Sequence, residues 1–236
     1  MRIWAIADLH LGISTGKWMD IFGEHWKDHH LKVEAAWRDL VAPSDIVVLP
    51  GDFSWAMKAE DAAADLRWLA ALPGRKVLTK GNHDYWWPAS HTKMAALLPP
   101  GVHAIKRKAV AIDGVPFIGV RGADFNWRED EKPGDLETRF VRERGELIQS
   151  IEDLPRVYVG RRPPIALFHY PPFPIGRTES FFTRILEDAG CRLCVFGHLH
   201  TKSEWERVFQ GESRGIRYRL VSCDSLDFRP LLLDEV

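Results

Sequence analysis

The sequence predicts an α/β fold. Short apolar, strand-like runs alternate with amphipathic helical stretches through the first half of the chain. Several of those runs stop at Gly, Asp, Asn or His, and an Asp113-Gly114 pair between two apolar runs marks a β-hairpin. Alternation of strand and helix implies parallel pairing through right-handed crossovers. The hairpin and the C-terminal runs imply a second, more antiparallel sheet. In such folds a ligand site lies beyond the carboxyl ends of the strands.

The first strand is expected over residues 2–7, ending at Asp8-Leu9-His10, with a glycine-bearing loop over 11–23. Trp26, Val33, Trp37 and Leu40 recur on one face and predict a helix over 24–41. Residues 46–49 form the next strand, which ends at Gly51-Asp52, and 59–72 form an alanine- and leucine-rich helix stopped by Pro73-Gly74. A strand over 76–79 delivers Gly81-Asn82-His83-Asp84, where glycine permits a tight exit. A short helix near 91–98 precedes the hairpin over 110–118, and a charged amphipathic helix covers 137–154. The strand at 165–168 ends at His169 and the strand at 192–196 at Gly197-His198-Leu199-His200, with a helix over 178–189 between them. Antiparallel strands are expected around 203–208, 218–222 and 230–233, with a turn over 211–215.

With 236 residues, 45% hydrophobic and 28% charged, the chain can bury a sizeable core, and one domain over 1–236 is expected. A net charge of −1 argues against a general grip on long nucleic acid or an anionic membrane. No signal pattern or membrane-length apolar stretch occurs, so a cytoplasmic protein is expected. Three cysteines make no disulfide framework. Cys191 and Cys194 read as buried thiols on opposite faces of one strand.

The chemistry lies in what the strands carry at their ends: Asp8 and His10, Asp52, Asn82 and His83, His169, then His198 and His200. Any one His is ordinarily a packed or hydrogen-bonded residue, and Asp after a strand is ordinarily a turn former or cap. Arriving together, they form a mixed oxygen and nitrogen ligand set for two metal ions. In an extended tail residues i and i+2 point the same way, so Asp8 and His10, and likewise His198 and His200, can converge on one ion. Asp52, alone at its strand end, suits a bridge. Imidazole-rich sites favour Mn, Fe, Zn or another transition metal over all-oxygen magnesium sites.

Asp8-x-His10, Gly51-Asp52, Gly81-Asn82-His83-Asp84, His169 and Gly197-His198-x-His200 stand in the order of the calcineurin-like metallophosphoesterase signature, and the chain resembles that family from residue 8 to 200. The resemblance implies a four-layer α/β/β/α sandwich of two mixed sheets flanked by helices. It implies one divalent ion on Asp8, His10, Asp52 and His200, and another on Asp52, Asn82, His169 and His198. His83 is then the residue beside the leaving group. Two ions roughly 3.5–4 Å apart remain net positive with a bridging hydroxide and attract a phosphate ester. In-line attack by that hydroxide, with His83 donating a proton to the leaving oxygen, is the expected reaction. Asp84 is expected either to orient His83 or to cap the following helix.

Arg121 and Arg177 are candidate phosphate contacts, and Trp87 and Trp127 are candidates for an aromatic wall against a flat leaving group, with loop packing as their ordinary role. His25, His29 and His30 read as solvated or helix-packing residues. The expected substrate is a small phosphodiester or phosphomonoester. The alternatives are a nuclease or a non-catalytic metal-binding scaffold; the complete ligand set weighs against the scaffold. A lipid-precursor hydrolase branch of the family typically has Arg where His83 stands.

Overall fold

Ile46 and Val48 of strand β2 (Ile46–Pro50) face one side of their sheet and Val47 and Leu49 the other, yet all are buried. A strand apolar on both faces needs a layer on each side. The computed structural model, which describes residues 1–125, 132 and 134–235, supplies those layers. One sheet runs β11 (Leu231–Glu235), β1 (Arg2–Ala5), β2, β3 (Arg75–Thr79), β4 (Val102–Ala104). Its strands β1 to β4 are parallel and β11 joins β1 antiparallel. The other runs β5 (Val110–Ile112), β6 (Val115–Val120), β7 (Ile165–Phe168), β8 (Leu193–Phe196), β10 (Ile216–Leu220), β9 (Gly211–Ser213).

Ile3, Ala5, Val48, Val77, Phe117, Leu167 and Val195 make the core between the sheets. Helices α1 (His29–Leu40), α2 (Ala63–Ala70) and α3 (His91–Leu97) cover the outer face of the first sheet through Val33, Trp37, Leu66, Leu69 and Met94. Helices α4 (Asp135–Val157) and α5 (Phe181–Asp188) cover the second through Leu147, Phe182 and Leu186. This is the four-layer α/β/β/α sandwich, with each sheet mixed.

Several expectations need correction. The second sheet is antiparallel only at its edges: β6, β7, β8 and β10 run parallel. The helix expected over 24–41 begins at His29, because Asp28 adopts φ 53° and the preceding residues form two 3-10 turns, Met19–Phe22 and Glu24–Trp26. The strand expected over 203–208 is helix α6 (Lys202–Arg207), started by a capping box in which Thr201 and Glu204 satisfy each other's backbone N–H groups. Strand β4, not anticipated, pairs with β3 but buries only Val102 fully, so its apolar signal is faint. Cys191 lies ahead of β8 rather than on it, and both Cys191 and Cys194 pack in the core under α5.

Candidate metal centre

The polar residues singled out after five strands all follow the carboxyl ends of parallel strands β1, β2, β3, β7 and β8, where the two sheets lie side by side. The loops are bonded to one another: Asp8 N–H donates to the Gly51 carbonyl at 3.0 Å, and His10 N–H to the Asp52 carbonyl at 2.9 Å. Gly197 N–H donates to the His169 carbonyl at 3.0 Å.

The backbone there is unusual. Asp8, His10, Asp52 and His198 have φ of 60°, 43°, 49° and 77°. Left-handed non-glycine residues cost free energy and concentrate at functional sites. Asp8 and His10 therefore converge through left-handed turns, not through the extended tail expected. Gly81 serves a different purpose from a turn. A Cβ there would stand 2.0 Å from Asp52 Oδ1, and one on Gly197 would stand 2.3 Å from Asp8 Oδ2. These glycines let backbone approach the two carboxylates.

Among the described residues two groupings of donors emerge: Asp8, His10 and His200, and Asp8, Asp52 and His169. Asp52 Oδ2 lies 3.7 Å from His10 Nε2 and 3.4 Å from His169 Nε2. Asp8 Oδ1 lies 3.7 Å from His169 Nδ1 and 3.9 Å from His200 Nε2. Two donors each about 2.1 Å from one ion stand about 3–3.5 Å apart, so these separations suit donors around an ion better than direct hydrogen bonds. Asn82 Oδ1 is 2.6 Å from His169 Nε2, and the His198 ring centroid is 5.1 Å from that of His169. Asp8 thus joins both groupings, while Asp52 alone was expected to lie between them.

The electrostatics fit cations. Asp8, Asp52 and His169 are buried, and His10 Nδ1 is buried without a hydrogen-bond partner among the described residues. Burial raises the Asp8 and Asp52 carboxyls and holds His10 and His169 well below the usual imidazole range. Neutral imidazoles among buried carboxylates are the donor set that divalent transition ions take. His200 differs: burial lowers it, but the Asp224 hydrogen bond and the Asp8 charge push it up to about 9.

Asp224 was not foreseen. Its carboxylate oxygens each lie 3.1 Å from His200 Nδ1 and orient the ring toward Asp8, in the manner of a carboxylate that steadies a metal-ligating His. The available signal was another acid just after an apolar run, in Val221-Ser222-Cys223-Asp224. Trp55 carries no sequence signal that separates it from the other loop aromatics. It stacks on His10 with ring centroids 4.7 Å apart and tilts against His83 at 4.6 Å. With Trp26, Met19 and Phe22 it walls a cleft of about 360 Å³ that also exposes His83, His198 and His200.

His83 donates its backbone N–H to Asp52 Oδ1 at 2.8 Å, which ties it to the cluster. Asp84 neither orients the His83 ring nor caps α3. Its buried carboxylate accepts from Phe53 N–H (3.0 Å), Ser54 N–H (3.2 Å), Gly81 N–H (2.7 Å) and the Trp86 indole (2.8 Å). Ser90 caps α3 instead. Arg121 contributes its carbonyl to the His169 and Tyr170 N–H groups, while its guanidinium pairs with Glu143 at 2.5 Å. Arg177 is exposed in a turn closed by its own N–H on the Pro174 carbonyl. Trp87 is buried against Trp86 rather than facing the Trp55 cleft, and Trp127 lies outside the described residues. His29 packs as expected: its ring nitrogens lie 2.8 Å from the Leu9 carbonyl and 3.2 Å from that of Trp26.

A buried Asp and His cluster at the shared carboxyl edge of two sheets, inside an α/β/β/α sandwich, defines a class of metal-binding hydrolytic folds. The chain belongs to the calcineurin-like phosphoesterase family, whose model matches residues 1–202. It is accordingly a phosphoesterase. Over 146 residues it is 28% identical to the Gene 66 protein of Mycobacterium phage D29, covering 54% of this chain and 71% of that one. The fold is similar to that of phosphopantetheinyl hydrolase from Mycobacterium tuberculosis, with TM-score 0.53 and 16% identity over 99% of this chain and 96% of that one. A protein of unknown function from Aquifex aeolicus, AQ665, matches with TM-score 0.49 and 15% identity over 98% and 95%. Among the described residues no helix is long and apolar enough to cross a membrane.

Proposed function

We propose that the chain hydrolyses a small phosphate ester, diester or monoester, using two divalent transition-metal ions. Asp8, His10, Asp52 and His200 would hold one, and Asp52, Asn82, His169 and His198 would hold the other. When bound, such ions supply a water of lowered pKa and positive charge for the phosphoryl oxygens. The observation that carries this reading is the convergence of buried Asp8 and Asp52 with His10, His169 and His200 at 3.4–3.9 Å.

The chain's own side chains do the rest. His83 is half-buried in the cleft, and its main-chain bond to Asp52 sets its position relative to the cluster. Its imidazole donates to the departing oxygen, a role worth roughly 10²–10⁴ in rate. Trp55 keeps the His83 and His10 rings in place and, with Trp26, offers an apolar face to the leaving group. That surface favours an aryl or nucleobase-bearing group. Asp224 holds His200 in one orientation.

The test is turnover of bis-p-nitrophenyl phosphate by chelator-stripped protein reloaded with Mn²⁺, Fe²⁺ or Zn²⁺, with bound metal counted by mass spectrometry. Two ions per chain and turnover are expected, with His83→Ala lowering kcat while metal content is kept. Full metal loading without turnover of any phosphate ester would overturn the proposal.

A further inference from the structure

A second cleft, of about 380 Å³, opens beside the cluster and shares no lining residue with the Trp55 cleft. It is framed by the end of β3 (Lys80), residues 105–107, the end of β6 (Arg121) and α4. Its lining holds five cationic side chains, Lys80, Lys106, Arg107, Arg121 and Arg142, against two acidic ones, Glu143 and Glu146. The arginines are engaged: Arg107 reaches Glu146 at 3.1 and 2.8 Å, and Arg121 and Arg142 both donate to Glu143 Oε1. The two lysines are half-buried, and among the described residues neither ammonium has a hydrogen-bond or ion-pair partner. Arg121 Nε is buried and likewise unpaired.

Surface lysines are normally solvated and need no partner. These two are different in placement: burial desolvates Lys106, and Glu146 favours its charge while Arg107 and Lys80 oppose it. A cleft whose lining carries an excess of one sign, here five cations to two acids, concentrates its field between protein walls and draws an anion. The cleft also adjoins the reaction centre. Lys80 immediately precedes Gly81-Asn82-His83, and the Arg121 carbonyl holds the N–H of His169.

We infer that this cleft is a second anion subsite, which takes a non-scissile phosphate of a substrate carrying at least two phosphoryl groups, through Lys80, Lys106 and Arg121. The inference rests on the phosphoesterase reading for the word substrate, but the anion site stands on its own lining. Arg121, expected as a phosphate contact, serves this second phosphate, and Trp87 closes the edge of the cleft.

Isothermal titration of the chelator-stripped full chain with sodium tripolyphosphate at 0.15 M salt decides the site without involving turnover. One ion per chain is expected, bound at least tenfold more tightly than sulfate, with Lys106→Met weakening it at least tenfold and Lys106→Arg restoring it. No binding, or the same affinity in Lys106→Met of unchanged circular dichroism, would overturn the subsite. A kinetic arm separates the substrate role: in Lys106→Met, KM for a nucleoside bisphosphate rises at least fivefold more than KM for bis-p-nitrophenyl phosphate. Equal changes in both overturn the substrate assignment. Loss of all turnover with tripolyphosphate binding intact would sink the catalytic reading and leave the anion site standing.

Discussion

Asp84 offers the sharpest test of what holds the centre together. Its carboxylate collects four donors from two loops, three on Oδ1 (Phe53, Ser54 and the Trp86 indole) and one on Oδ2 (Gly81). In Asp84→Asn the amide oxygen can replace Oδ1, but the NH₂ then faces the Gly81 N–H, donor against donor. One charge-assisted bond is lost and one buried N–H is left unpaired, which costs about 2–4 kcal/mol. Asp84→Ala orphans all four donors, and at about 1 kcal/mol or more each the loss reaches at least ~4 kcal/mol. Because a whole domain is stable by only about 5–15 kcal/mol, the alanine variant is expected to be partly unfolded at 37 °C. Guanidinium unfolding of the metal-free chains measures the stability term. Turnover at saturating Mn²⁺ and 15 °C measures the catalytic term. A bracing role predicts a lowered midpoint for Asp84→Asn and a kcat within about threefold of wild type once the chain is folded and loaded. An unchanged midpoint with kcat down a hundredfold would refute it and return Asp84 to the side of His83.

If two ions bind as proposed, Asp224→Asn, which removes the charged partner of His200, should lower affinity for one of them about 10–100-fold in chelator competition; metal affinities unchanged from wild type would show that His200 needs no such support. Trp55→Ala should raise KM for bis-p-nitrophenyl phosphate about two- to tenfold, the scale of an aromatic pair, and less for a small alkyl ester. Lys76, buried on β3 with its ammonium against the Leu72 carbonyl, has its pKa lowered by burial to about 8. Between about pH 8 and 10.5 the unfolded chain binds the extra proton, so wild-type stability should rise through that window relative to Lys76→Met. After solvent screening the relative gain is about 1–2 kcal/mol. A flat difference in unfolding midpoint between pH 7 and 10.5 would remove the argument.

The layers of the fold were legible because strands buried on both faces leave continuous apolar runs, as in Ile46-Val47-Val48-Leu49 and Leu193-Cys194-Val195-Phe196. Strand β4 left no such run, because His103 is exposed and Ala104 only half-buried, and α6 was misread where Thr201 and Glu204 carried a cap signal. Whether β10 paired parallel or antiparallel was also out of reach, since pairing direction depends on which strand lies alongside and not on the strand's own residues. Asp8, His10, Asp52, Asn82, His83, His169, His198 and His200 could be named from order and spacing alone. Each stands one to five residues beyond a strand, so position along the chain marked them.

What the residues determined by themselves was therefore the inventory: which groups come to the carboxyl edge, and that Gly51, Gly81 and Gly197 accompany them. The tertiary structure alone decided their relations. It placed Asp8 in both donor groupings, turned Asp84 toward backbone N–H groups rather than toward His83, and brought Asp224 to His200 from 24 residues away. It also made Trp55, and not Trp87, the ring beside His83. The physical reason is that these contacts join loops from different strands. A side chain's direction there is set by the left-handed turns and the close approach of glycine backbone, neither of which leaves a periodic trace in sequence.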